Sequence, residues 1–211
     1  MNMSSYKKIA VSGMKWILMA ALLSLSLNGQ VSASAIGLLD ENTARIGYLV
    51  GVSQFAVDDP DGPTKATVDV LPLSLIYTDW LPHSWRYWAE AYYFATTLDA
   101  NTGDIRQEVS RIGTRLSLQR NVNLGDWSLW LGAGLDVSRN QYTKRYTVDS
   151  DGFLLRTYED RFDTAVGFAT QLVMEWPLAQ DWDLTAKLEH MFPVNGGITE
   201  TALSAGILYR Y

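Results

Sequence analysis

Polar and apolar residues alternate along most of this chain, most plainly at its end. In Thr199–Tyr211, Leu203, Ala205, Ile207, Tyr209 and Tyr211 share one parity, and Ala202, Ser204, Gly206, Leu208 and Arg210 share the other. A period of two marks a β-strand whose two faces meet different surroundings. Seven earlier stretches repeat it. Thr43–Phe55 sets Ile46, Tyr48, Val50 and Val52 against Arg45, Gly47, Gly51 and Ser53, with Leu49 the exception. Thr67–Thr78 sets Leu71, Leu73, Leu75 and Tyr77 against Val70, Pro72, Ser74 and Ile76, and Pro72 predicts a bulge because it cannot donate to a ladder. Trp85–Leu98, Ile105–Arg120, a stretch from Asp126 through Tyr142, Phe162–Trp176 and Trp182–Phe192 follow the same rule.

Punctuation between these stretches is turn-like. Residues 56–65 carry two prolines, a glycine and aspartates, and Asp149-Ser150-Asp151-Gly152 turns the chain inside a long hairpin loop over 143–161. Connections after the first, third, fifth and seventh strands include the two longest. Those after the second, fourth and sixth are five or six residues. The expected fold is therefore all-β: an eight-stranded, antiparallel, up-and-down barrel over residues 36–211. If it crosses a membrane, one parity faces lipid and the other a polar lumen.

The front of the chain supports export. Lys7, Lys8 and Lys15 precede the short apolar run Trp16–Leu27, and Val31–Ala35 offers small residues for cleavage, so residues 1–35 read as a cleaved signal peptide. Removing them takes three lysines and no acid, which moves the formal net charge from −6 to about −9. So acidic a chain has little with which to neutralise phosphates, and nucleic acid is not an expected partner. The chain has no cysteine, which excludes disulfides and thiol chemistry. Its aromatic content, with 8 Trp and 11 Tyr, suits alternating lipid-facing and lumen-facing positions.

The closing strand ends flush on the aromatic Tyr211. On that strand, the strand pattern and the export signal, the chain resembles the small eight-stranded bacterial outer-membrane barrels of the OmpA/OmpX type. The resemblance implies an outer-membrane location with both termini periplasmic, a C-terminal strand read by the barrel-assembly machinery, contacts with outer-membrane lipid and lipopolysaccharide, and a monomer with no cofactor; unlike the two-domain members, this chain is expected to have no peptidoglycan-binding domain after the barrel. It places Trp80, Trp85, Trp127, Trp176, Trp182 and Tyr211 in an aromatic girdle at the periplasmic interface.

The inward parity carries Arg45, Arg86, Arg111, Arg115, Lys187 and Arg210 against Glu90, Asp136, Asp163, Glu175, Asp183 and Glu189. Eight strands leave an interior that side chains fill, so these charges are expected to pair as a plug. A structural or surface-interaction role follows, with the long third hairpin as the contact element. A narrow pore or a transporter of small molecules is the alternative. A lipid-modifying enzyme is a third class. His190 faces outward, but the outer-membrane lipid A deacylases pair a His with a Ser two residues on, and here that position is Phe192. His83 falls in a periplasmic turn. Acidic residues in the loops (Asp58, Asp59, Asp61, Asp149, Asp151, Glu159, Asp160) lack the spacing of a calcium loop and read as solvated surface. A soluble barrel with the apolar parity inside remains the rival fold.

Overall fold

The structure, a computed structural model, describes residues 43–58, 61, 65–98, 104–124, 127–194 and 198–211. The expected signal peptide and leader lie outside the described residues. Among the described residues there are ten strands: β1 Arg45–Asp58, β2 Lys65–Val70, β3 Leu73–Leu81, β4 Trp85–Leu98, β5 Arg106–Leu124, β6 Trp127–Val148, β7 Leu154–Thr157, β8 Arg161–Ala179, β9 Trp182–Pro193 and β10 Thr199–Arg210. β2 and β3 form one wall segment, and β7 continues β8, so the wall has eight staves. Every neighbouring pair is antiparallel, and β1 pairs with β10 from Arg45↔Arg210 to Ala56↔Thr199, which closes the barrel. The last bond of that seam runs from Tyr211 N to Ala44 O, 3.2 Å.

Following paired residues once around the wall, Glu175 leads through Thr185, Gly206, Leu49, Ser74, Tyr92, Gly113 and Ser138 back to β8 at Ala165, ten residues along the same strand. Such a stagger requires tilted strands, typically by about 35–45° from the barrel axis. All nine residues on this path share the inward parity.

That parity settles which side is greasy. Leu71, Leu75 and Leu135 are 75%, 63% and 61% exposed on the outer face, while Arg45, Asp136 and Lys187 are 1% exposed inside. A soluble barrel would bury the first set and expose the second, so the rival fold is excluded. The inside-out pattern is that of a wall solvated by lipid.

Three features differ from the sequence expectation. Pro72 causes no bulge: Val70↔Ser53 and Leu73↔Val50 lie in one register, and the ladder merely lapses over Leu71 and Pro72. The expected loop over 143–161 is mostly a two-stranded ribbon, because β6 runs on to Val148 and β7 pairs back onto it. The connections at the rim holding Arg45 and Arg210, here the terminal rim, span only residues 82–84, 125–126 and 180–181. The asymmetry between the two ends lies largely in strands prolonged beyond the opposite, far rim.

A bulge does occur, at Lys144. Between Arg106↔Tyr146 and Glu108↔Thr143 the register shifts, and Lys144 takes φ 50°. The extra residue reverses the inward parity of β6. Asn140 and Tyr142 are buried before it, and Arg145 and Thr147 after it.

At the terminal rim, His83 and Ser84 have φ of 65° and 62°. This left-handed conformation is free of steric cost for glycine and not for serine. Ser84→Gly is expected to stabilise the barrel by about 0.5–1 kcal/mol, read as a higher urea midpoint in lipid vesicles. A lower midpoint would show that the turn is not strained.

Candidate functional site

Among the described residues, the charges inside the barrel, apart from Arg145 at the far rim, fall into two clusters separated by an apolar collar. The lower one, at the terminal rim, holds Arg45, Arg86, Arg210, Glu175 and Asp183. Glu175 accepts from Arg45 at 2.7 Å and from Arg86 at 2.6 Å. Asp183 takes both forks of Arg210, with Nε at 2.8 Å, and lies 3.4 Å from Arg45. Aromatic faces cover the guanidinium groups: Arg86 sits 3.9 Å from the Trp130 ring centre and 4.9 Å from that of Trp88, and Arg45 5.7 Å from Trp80. Leu49, Ile76, Trp88, Trp130, Val173 and Leu208 form the collar above.

The middle cluster holds Arg111, Arg115 and Lys187 with Glu90, Asp136, Glu189 and Glu200. Arg115 pairs with Glu189 and, at 3.0 Å, with Asp136. Lys187 pairs with Glu90 and, at 3.1 Å, with Glu189. Arg111 spans Asp136 at 2.8 Å and Glu200 at 2.9 Å, and Ser53 donates to Glu200 at 2.6 Å. Tyr92 donates to Asp136 at 2.8 Å across Gly113 of the next strand; a Cβ on Gly113 would lie 2.4 Å from that hydroxyl oxygen. The glycine therefore provides the groove through which Tyr92 reaches the cluster.

Neither cluster is neutral alone. The middle one has four carboxylates and three cations; the lower has three cations and two carboxylates. Two glutamines and an arginine connect them through the collar: Gln171 donates to Glu189 at 2.7 Å, Gln119 to Gln171 at 2.8 Å, and Arg86 to Gln119 at 2.7 Å. Above the middle cluster, Phe55, Val70, Phe94, Leu98, Val109, Tyr142, Met191 and Ile198 make a second collar.

Ten positions were expected to form this network: Arg45, Glu90, Arg111, Arg115, Asp136, Asp163, Glu175, Lys187, Glu189 and Arg210. Nine of them lie in the two clusters. Asp163 does not. It sits about a third exposed (34%) at the far rim, 2.8 Å from Arg161, and Glu200 supplies the twelfth buried charge instead. Carrying the parity of Ala202 back two residues would have found Glu200. Arg145 was hidden by the bulge: its buried guanidinium donates to Asp61 at 2.6 Å and to the Glu159 carbonyl at 2.7 Å.

The girdle residues divide. Trp85, Trp176, Trp182 and Tyr211 lie outward at the terminal rim, where Trp182 packs on Tyr209 with ring centres 5.0 Å apart. Trp80 has inward parity and packs edge-on against Trp130 at 4.7 Å, so it belongs to the lumen. The side chain of Trp127 lies outside the described residues.

On the outer face, His190 Nδ1 is 2.7 Å from Thr201 Oγ1 on β10, a hydroxyl that a search for His-x-Ser overlooks. Strand β10 around Thr201 is paired on both sides, with His190 and with Gln54. Its backbone donors are committed to the ladder, and none is left to stabilise an oxyanion there.

No family model and no curated protein matches the sequence. Solved structures do. Neisserial surface protein A aligns with 12% identity over 80% of this chain and 97% of its own, at a TM-score of 0.55. A major outer membrane protein from Thermus thermophilus aligns with 10% identity over 80% and 99%, at 0.54. The attachment invasion locus protein of Yersinia pestis aligns with 11% identity over 80% and 99%, at 0.50. This chain has the fold of the small outer-membrane barrels. At such identity the likeness speaks for the architecture alone.

Arg115 touches three carboxylates, so Arg115→Met is expected to cost about 3–5 kcal/mol in urea unfolding. Asp136→Asn should cost less in an Arg111→Met background than alone. Strict additivity would mean that the cluster is not one coupled unit. Outside the membrane-spanning wall, the hydrogen bond from Arg145 holds the Asp61 carboxyl below its ordinary 3.8. A depressed carboxylate stabilises above its unfolded pKa and loses that contribution as pH falls through its folded one. The Arg145 Nη resonance should therefore titrate with a midpoint below 3.8, and a midpoint at or above 3.8 would show that the pair does not hold the carboxylate.

Proposed function

We propose that this chain is an integral outer-membrane barrel with a sealed lumen, acting as a monomeric structural and surface-contact protein rather than as a pore. The observation that carries the reading is the filling of the lumen: two apolar collars, each continuous with a cluster of paired charges. A hydrated ion entering would have to displace buried pairs and pass the packed indoles Trp88 and Trp130, both 0% exposed. Breaking such a pair costs several kcal/mol, which an open pathway cannot require at every passage.

In this reading the termini are periplasmic, the far rim faces outward, and Tyr211 presents the strand that the assembly machinery recognises. The outer face meets lipid and, at the far rim, lipopolysaccharide. The contact element is the ribbon of β6 and β7. Its turn is held by Asp149, whose Oδ1 accepts from Asp151 N at 3.0 Å and Phe153 N at 2.8 Å. Beyond this turn Phe153, Leu154 and Leu155 are all exposed. Three successive apolar side chains point to both faces of the ribbon, and holding them in one conformation lowers the entropic cost of contact.

Reconstituted in planar bilayers, the protein is expected to give no stable conductance. Trp88→Ala combined with Trp130→Ala should produce reproducible steps by opening the lower collar. Stable channels from the unaltered protein would sink the sealed-barrel reading.

A further inference from the structure

The ribbon and the lumen leave one feature of the outer wall without a role. Where β4, β5 and β6 approach the far rim, their outward side chains become small or hydroxylated and leave a groove of about 370 Å³. Tyr93, Ala95, Thr97, Ser110, Gln141 and Thr143 line it, with Glu108 at its upper end. The volume falls within the range of small-ligand sites.

The chemistry of the lining is specific. Tyr93, 51% exposed, offers a ring face. Thr97, Ser110 and Thr143 offer hydroxyls that both donate and accept, and the Gln141 amide does the same. Glu108 accepts only, and its charge is cancelled by Lys144 at 2.8 Å. A net-neutral groove with a carboxylate in it disfavours a free phosphate. An aromatic plane among mixed donors and acceptors suits a neutral polyol ring.

Depth along the barrel narrows the ligand further. Tyr93 pairs with Ile112, which is 60% exposed, and the next outward pair toward the terminal rim is Ala91 and Thr114. Below the groove therefore lies the lipid-facing belt, with a shallow strip of small residues leading down from it. A ring seated against Tyr93 would have its acyl chains beside Ala91, Thr114 and Leu116. Arg139 lies alongside, the neighbour of Ile112 on β6, 5.6 Å from the Phe162 ring centre. It would meet a charged substituent at the edge of the ring rather than in the groove.

From this placement we infer that the groove on β4, β5 and β6 is a binding site for the sugar headgroup of an outer-leaflet glycolipid. The inference rests on the outer-membrane reading above and names the lipid contact within it.

The test uses the full barrel in phosphatidylcholine nanodiscs. Rough-type lipopolysaccharide is titrated in, with phosphatidylglycerol and soluble maltose as separate arms, and bound lipid is counted by native mass spectrometry. Ser110→Trp fills the groove from the outer face and Gln141→Ala removes its amide. Ala133→Trp, also outward but on the belt, is the control. Lipopolysaccharide binding should fall at least tenfold with Ser110→Trp, severalfold with Gln141→Ala, and not at all with Ala133→Trp. Unchanged binding by Ser110→Trp overturns the site. So does equal retention of phosphatidylglycerol, which would mean an anion patch, or binding of maltose as tight as that of the glycolipid. The same nanodisc samples report whether the barrel folds and inserts. A folded barrel that binds no glycolipid counts against the groove alone, whereas failure to insert counts against the outer-membrane reading.

Discussion

A charge inside an eight-stranded wall has no water to fall back on, and the rest of this structure depends on that constraint. The two lumen clusters bury six cations and six carboxylates, and each reaches at least one partner of opposite sign. Pairing of this kind seldom adds stability over an apolar filling of equal volume. What it does is make the cost of any other arrangement high. A one-residue slip in any of the seven staves that carry these charges would turn them into lipid and leave their partners uncompensated. The register that staggers the wall by ten residues is thus enforced from inside as well as by the ladder.

The division into two clusters adds a second constraint. Each carries one charge too many, of opposite sign, so compensation is complete only across the apolar collar. The path Glu189–Gln171–Gln119–Arg86 crosses that collar as an unbroken run of hydrogen bonds. Glutamine is suited to this because each amide both donates and accepts, so the chain of bonds keeps one direction from the lower cluster toward the middle one. The two clusters should consequently respond to each other's substitutions despite the indoles between them. The collars depend on the clusters in turn: Trp88 and Trp130 pack against the Arg86 guanidinium, and Trp80 packs edge-on against Trp130.

Most of the wall was legible in the sequence, because a period of two assigns each residue to a face once one residue is placed. That is why nine of ten expected lumen charges fall where parity put them, and why Trp85–Leu98 is β4 to the residue. Legibility failed where parity was interrupted or left unfinished. The bulge at Lys144 has no sequence signature, since a lysine occupies a position that normally favours glycine, and Arg145 was assigned to a loop for that reason. Trp80 was read by its closeness to a turn rather than by its parity, which is that of Ile76 and Thr78. The Tyr92 contact with Asp136, two strands away, depends on Gly113 on the strand between them, a relation that only the register reveals.

A lumen held by so many mutual contacts has little freedom to take on a ligand, which is why the proposed function places the contact surface on the outside. The outer face is uniform where it meets the belt and becomes varied at its two borders. At the terminal rim that variation is aromatic, with Trp182 on Tyr209 and Tyr77 near Tyr87 at 5.8 Å, as fits an interface where a ring sits half in lipid. At the far rim it is hydroxylated, amidated and charged, and the staves run on past the belt as β6 and β7. The same bulge that turns Arg145 inward leaves Lys144 outward against Glu108, at the lip of the groove. One extra residue in β6 thus ties the closing of the far mouth to the shape of the outer wall beside it.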